Sequence, residues 1–291
     1  MSVLPQHLLN GLAVGSLYAL LAIGLSLTYG VLRIINIAHG GVYMIGGMLA
    51  LTLLAVMRLP PLIAVTLTIL ACAGLGVVFE RFAYRPLRGA NVIVTLISSL
   101  GLLLAMENLA RVIWGPLPQP FPQFLPLHIY RAGPVVVTNL QVLVIALTLV
   151  LMAGLQWVLR KTTLGLATLA AVQNARGARL LGINIDVLAM AIFAVGSGLA
   201  GLAGVLEGLY LTSVDPSMGQ MFGLKAFAAV VIGGMGSVAG TFLGAYLIGL
   251  LEALVAAYVS AGLRDVITFA LLVLTLMVRP SGLLGRRVDR A

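Results

Sequence analysis

Charge is what this sequence has least of. Only 9% of its 291 residues are Asp, Glu, Lys or Arg, whereas 61% are hydrophobic, and the mean hydropathy is +1.14. A soluble domain of this length must turn a polar outside to water, so this balance excludes one. Long runs almost free of charge instead match a bilayer core of about 30 Å, which roughly 20 helical residues cross. Cysteine is nearly absent: Cys72 is the only one and lies inside a hydrophobic run. Intrachain disulfides and cysteine-based zinc clusters are thereby excluded. The two lysines, Lys161 and Lys225, follow no G-x-x-x-x-G-K-[ST] loop, so the chain encodes no P-loop for nucleotide. His7, His39 and His128 fall in different regions and form no metal-binding spacing. No catalytic constellation, metal or cofactor is expected. The net charge of +9 points to membrane lipid and not to nucleic acid, because basic residues collect on the cytoplasmic side of membrane spans.

What is present is a series of apolar runs. They cover 8–30, 34–57, 61–79, 91–113, 140–159, 187–211 and 265–279, with one long glycine-interrupted stretch at 223–258. The N-terminus lacks the basic flank and cleavage site of a removable signal peptide, so 8–30 is expected to stay as the first helix. Arg81, Arg85 and Arg88 follow the third run. Arg160, Lys161, Arg176 and Arg179 follow the fifth, and Arg279, Arg286, Arg287 and Arg290 form the tail. These three regions are expected to be cytoplasmic. The Pro-rich stretch 114–139, with Arg131, and the stretch 212–222, with Asp215, belong outside. An odd number of crossings follows. The N-terminus is then periplasmic, the C-terminus is cytoplasmic, and 223–258 crosses twice with a break near Gly233-Gly234-Met235-Gly236. Its first crossing would be short, which only a helix buried among others allows.

The expected fold is an all-α polytopic membrane bundle of eight or nine crossings in a single domain over 1–291, with an inverted internal repeat. AVGS occurs at Ala13–Ser16 and Ala194–Ser197, and IGGM at Ile45–Met48 and Ile232–Met235, in the same order. Residues 8–113 form a first half and 187–280 a second of opposite orientation. A linking helix, 140–159, and a cytoplasmic segment, 160–186, lie between them. Inverted repeats place a transport pathway at the interface between halves.

Intramembrane polar residues are few. Asn36 and His39 lie in RIINIAHGG, where a polar group is costly unless it faces protein or a watery cavity. They either border a pathway or hold a broken helix together, and Gly40, Gly41, Gly46 and Gly47 favour irregular backbone there. Gly233 and Gly234 play the same part in the second half. Glu107 and Arg111, four apart, are expected to pair. Glu207 is expected near the outer end of its span, reaching headgroup water. Glu252 lies deeper without a nearby sequence partner, so it is either functional or bonded to a neighbouring helix. The recurring glycines Gly11, Gly15, Gly196, Gly198, Gly201, Gly204 and Gly208 are expected to let helices pack closely.

Three blocks carry a resemblance. GLAVGSLYALLAIGLSLTYGVLRIINIAHGGVYMIGGMLA at 11–50, GLKAFAAVVIGGMGSVAGTFLGAYLIGLLEAL at 223–254 and LMVRPSGLLG at 276–285 resemble the LivH-type permeases, membrane subunits of ABC importers for branched-chain amino acids. The resemblance implies a non-catalytic permease in the inner membrane of a bacterium or archaeon. It would work with a second, LivM-like permease, two ABC ATPase subunits and a periplasmic substrate-binding protein. Relatives of this family also import urea, short amides and other compounds.

The same resemblance gives 160–186 a role as the loop that couples to the ATPase, although Gln173-Asn174 stands where relatives often have Gln-Asp. Ala167, Ala171, Ala175 and Ala178 recur at three- and four-residue spacing after Thr163 and form one smooth helix face that a partner could approach. Arg176 and Arg179 flank that face, and Gly177 and Gly182 allow the chain to turn. The competing expectation for this segment is an amphipathic connector lying on the inner leaflet. The competing function is a secondary transporter or channel using Glu252, Glu207 or His39 without ATPases.

Overall fold

The computed structural model describes residues 3–132 and 135–285. The tail residues Arg286, Arg287 and Arg290 lie outside the described residues. Helices dominate: α1 (Leu4–Leu32), α2 (His39–Leu51, prolonged by a π-turn to Val56), α3 (Pro61–Phe79, prolonged to Leu87) and α4 (Val92–Trp114) come first. After them come α5 (Asn139–Lys161), α6 (Thr163–Gln173), α7 (Ala175–Leu180) and α8 (Ile185–Leu211). The last three are α9 (Met218–Gly233), α10 (Val238–Tyr258) and α11 (Arg264–Val278). Among the described residues, eight helical segments are long and apolar enough to cross a membrane, and α9 is a shorter apolar helix of 16 residues.

The boundaries have local causes. Pro60 and Pro61 open α3, where a missing N–H costs nothing. Thr138 and Gln141 form a capping box at the start of α5. Thr162, Asn174, Asn184 and Ser237 each accept a backbone N–H at the start of α6, α7, α8 and α10. The long stretch 223–258 breaks at Gly234, whose φ of +111° suits only glycine. Its first helix starts earlier than the hydrophobic run suggested, because Met218 and Gly219 already pack against α2 at Gly47, Met44 and Gly40.

α1 is the axis of the bundle. It packs most extensively on α10 and also on α8, α9 and α5, while α8 packs on α3 and α2. Glycines set these approaches: Gly11 and Gly15 meet Gly249 and Tyr246, Gly24 meets Gly196, and Gly46 meets Gly201. By contrast α5 and α11 keep most of their surface outside this core. Short ladders tie the links at the end opposite Arg33. β1 (Gln119–Pro120) pairs with β4 (Ser213–Val214), and β2 (Ile129–Ala132) with β3 (Val135–Thr138).

Candidate functional site

Residues 160–186 fold as two short helices at the basic end of the bundle. Thr163 is the first residue of α6 and is exposed, and Ala167 is half-buried. Asn174 separates the helices by capping α7, its Oδ1 accepting the Gly177 N–H at 2.9 Å. Ala175 opens α7, and Gly182, at φ +84°, turns the chain towards α8. The alanine face takes the inward direction. Ala171 and Ala178 are buried against Ile23, Leu27 and Val31 of α1 and Ile185, Leu188 and Ile192 of α8. Their small side chains let α6 and α7 press onto the chain's own helices. Gln173, Arg176 and Arg179 point outward with Leu180 and Leu181, which are 89% and 82% exposed. The two leucines are the residues that sequence reasoning passed over. Both are large apolar side chains bared at the end of α7.

Beside this segment opens a cleft of about 1200 Å³. α1 lines it from Ser26 to Arg33, α5 from Gln156 to Arg160, and α6 through Thr168, Val172 and Gln173. The α9–α10 link and Pro280–Gly285 complete it. Arg33 and Arg160 are its charged lining residues.

Asn36 and His39 have structural surroundings. The Tyr84 hydroxyl donates to Asn36 Oδ1, and the Ile37 N–H donates to Ser99 Oγ at 3.3 Å. These bonds hold the broken connection between α1 and α2 to α3 and α4. His39 packs against Gly24. Gly46 and Gly47 meet Gly201 and Gly204 of α8, Gly233 packs on Gly240, and Gly234 on Gly285.

Glu252 has partners that no local spacing reveals. Its Oε1 lies 2.9 Å from Lys225 Nζ and accepts from Thr268 Oγ1 at 2.6 Å, while Oε2 accepts from the Tyr18 hydroxyl at 2.8 Å. Lys225 also pairs with Asp265 at 2.7 Å. α1, α9, α10 and α11 are thereby joined by one polar cluster. Glu107 pairs with Arg111 at 3.7 Å, as the spacing predicts, and its Oε1 also accepts the Gln220 N–H. Glu207 differs from expectation: it is buried inside the bundle, while next to it Phe121 packs over Gly208 and β1 pairs with β4 beyond the end of α8. At the basic end Arg88 pairs with Glu80 and Asp186, and Arg85 with Asp186 at 2.7 Å. No group of three or more potential metal ligands occurs among the described residues.

Comparison with known proteins adds the family. Residues 7–276 match the family described as branched-chain amino acid transport system / permease component. The chain is 39% identical over 293 residues to the high-affinity branched-chain amino acid transport system permease protein BraD of Pseudomonas aeruginosa. That alignment covers 97% of this chain and 95% of the relative. It is 36% identical over 294 residues to LivH of Escherichia coli, with the same coverage. To the probable LivH of Methanocaldococcus jannaschii it is 28% identical, covering 93% of this chain and 89% of the relative. No solved structure matches the chain.

Proposed function

This chain belongs to the branched-chain amino acid transport system permease component family, and on that footing we propose that it is the membrane subunit of an ATP-driven importer of branched-chain or related amino acids and amides. The observation that carries the proposal is the near-full-length likeness to BraD and LivH. The chain acts without catalysis of its own. Two ATPase subunits hydrolyse ATP, a second LivM-like permease completes the membrane core, and a periplasmic binding protein delivers substrate.

The coupling surface is the outer face of 163–182. Leu180, Leu181, Arg176 and Arg179 meet the ATPase, while Ala171 and Ala178 transmit its movement to α1 and α8 through the Ile23–Leu27–Val31 cluster. Differential contact in the two nucleotide states then shifts the permease equilibrium. The basic end is the cytoplasmic one, so the N-terminus is periplasmic and the C-terminus cytoplasmic in an inner membrane. We further read the two halves as an inverted repeat. In support, the AVGS helix α1 packs on α10, and the AVGS helix α8 packs on α3, the corresponding helix of the opposite half.

The test is reconstitution with the two ATPases, the second permease and the binding protein in proteoliposomes. Leucine uptake that requires ATP and all components is expected. Uptake by this chain alone, driven by a proton gradient, would replace the proposal with a secondary transporter.

A further inference from the structure

The 1200 Å³ cleft at the basic end combines apolar wall with two cations that nothing neutralises. α1 and α5 run in the same direction: Gln141 Nε2 donates to Asn10 Oδ1 at 2.9 Å near the start of both helices, and both line the cleft near their ends. α1 presents Ser26, Tyr29 and Gly30 there, followed by Arg33, and α5 presents Gln156, Leu159 and Arg160, which share one helix face. Arg33 caps α1, its backbone N–H donating to the Tyr29 carbonyl at 2.8 Å, and Arg160 lies in the last turn of α5. Both helices are long and apolar enough to cross a membrane. Both arginines therefore stand where a span meets the headgroup layer.

Neither guanidinium has an acidic partner among the described residues, whereas Arg85, Arg88 and Arg111 each do. The described lining contains no Asp or Glu. The sequence beyond Gly285, RRVDRA, carries three arginines to one aspartate and adds to the positive field instead of cancelling it. Leu27, Val31, Leu159, Val172 and Val238 supply apolar wall. The wall at Pro280–Gly285 is pinned to the end of α9, where the Leu283 and Leu284 N–H groups donate to the Ile232 and Gly233 carbonyls at 2.8 and 2.9 Å. Beside the cleft α5 turns Val150 and Trp157 outward, 66% and 62% exposed, as a helix facing acyl chains does.

We propose that this cleft is a binding site for an anionic phospholipid, which sets its phosphate on Arg33 and Arg160 and its acyl chains against the apolar wall and the outer flank of α5. Charge decides the class of lipid. Two cations without an acid attract a headgroup of net negative charge, whereas a zwitterionic headgroup brings an ammonium that they repel. Basic pockets between membrane helices recognise anionic headgroups on this principle. A free phosphate would satisfy the arginines but leave the apolar wall uncovered. α6 contributes Thr168, Leu169 and Val172 to the lining, so a bound lipid braces 163–182 against α1 and α5. The site goes beyond the permease reading and does not depend on what the chain transports.

The test offers the purified full-length chain, in detergent, equal amounts of phosphatidylglycerol and phosphatidylcholine with the same acyl chains. Native mass spectrometry counts the lipid retained. Phosphatidylglycerol is expected to be kept about tenfold over phosphatidylcholine. Arg33→Gln combined with Arg160→Gln is expected to abolish that preference, and Arg131→Gln, in the β2–β3 ladder at the opposite end, to leave it intact. Gly30→Leu tests the space and keeps both arginines. A Cβ there meets only ordinary contacts, the nearest at 3.5 Å, so the backbone accepts the side chain, the cleft narrows, and retained phosphatidylglycerol is expected to fall severalfold. Millimolar inorganic phosphate is expected to leave the bound lipid in place. Equal retention of the two lipids by the unaltered chain would overturn the proposal, as would a preference that survives loss of both arginines. Displacement by phosphate would make this a small-anion site and overturn the lipid.

Discussion

The Lys225 ammonium lies 2.9 Å from the Glu252 carboxylate and bridges α9 to α10 inside the bundle. Asp265 holds the same ammonium at 2.7 Å, and the Tyr18 and Thr268 hydroxyls donate to the Glu252 carboxylate. Each charge in the cluster is tolerated because the others are there. Removing Lys225 leaves Glu252 buried without a cation, whereas removing Glu252 leaves Lys225 paired with Asp265, and removing both trades the buried pair for apolar packing.

Lys225→Met is therefore expected to destabilise the protein by about 3–5 kcal/mol, and Glu252→Met by less, because Asp265 still pairs with Lys225. The double variant is expected to recover most of that loss. Thermal unfolding of the purified protein in detergent, arranged as a double-mutant cycle, measures the coupling. Equal losses that simply add would refute the mutual dependence of the pair.

The two faces of 163–182 should separate stability from partnership. Leu180→Ser and Leu181→Ser remove bared apolar contacts, so permease stability is expected to stay within about 0.5 kcal/mol. ATPase retention during co-purification is expected to fall at least thirtyfold if both leucines are energetic centres of the interface. Ala178→Leu should do the reverse by overfilling the contact with α1 and α8, costing about 1–3 kcal/mol of stability. Leucine variants that keep their ATPase would place the coupling surface elsewhere.

Much of this architecture was legible in the sequence because the bilayer imposes one dominant rule. Runs without charge had to be helices, and Gly233–Gly236 had to break the long one, where Gly234 indeed adopts φ +111°. The spacing of Glu107 and Arg111 gave their pairing, since both lie on one helix. Periodicity carried no information about partners on other helices. Lys225 meets Glu252 and Asp265 only through the packing of α9, α10 and α11, and the burial of Glu207 depends on neighbours outside its own helix. The alanine spacing marked a smooth face on α6 and α7 but could not tell which neighbour it met. In the fold that neighbour is the chain itself.

The basic end offers a graded comparison of ion pairs. Asp186 is about one-third exposed and shares Arg85 and Arg88, whereas Glu80 is buried beneath Arg88. Water and salt screen the first carboxylate, so Asp186→Asn is expected to cost at most about 1 kcal/mol. Arg88→Met leaves Glu80 buried without its cation and is expected to cost about 3–5 kcal/mol. Unfolding midpoints at low and high salt test both values, with salt dependence expected only for the loss at Asp186.

The closest test of the bundle itself lies where α2 crosses α8. A Cβ built on Gly46 would meet the Gly201 carbonyl oxygen at 2.6 Å, with backbone and not a flexible side chain in the way. The α2–α8 approach depends on Gly46 and Gly204 lacking side chains, since a Cβ on Gly204 would meet the Gly47 backbone nitrogen at 2.9 Å and membrane helices gain their association from close backbone packing. Gly46→Val is expected to force the helices apart and to reduce folded yield and leucine uptake together. Gly101→Ala provides the control: a Cβ there meets nothing within 4 Å, and the change is expected to leave both unaltered. Detergent size-exclusion profiles and uptake rates for the two variants decide the matter, and a monodisperse, active Gly46→Val protein would show that the crossing is looser than this geometry.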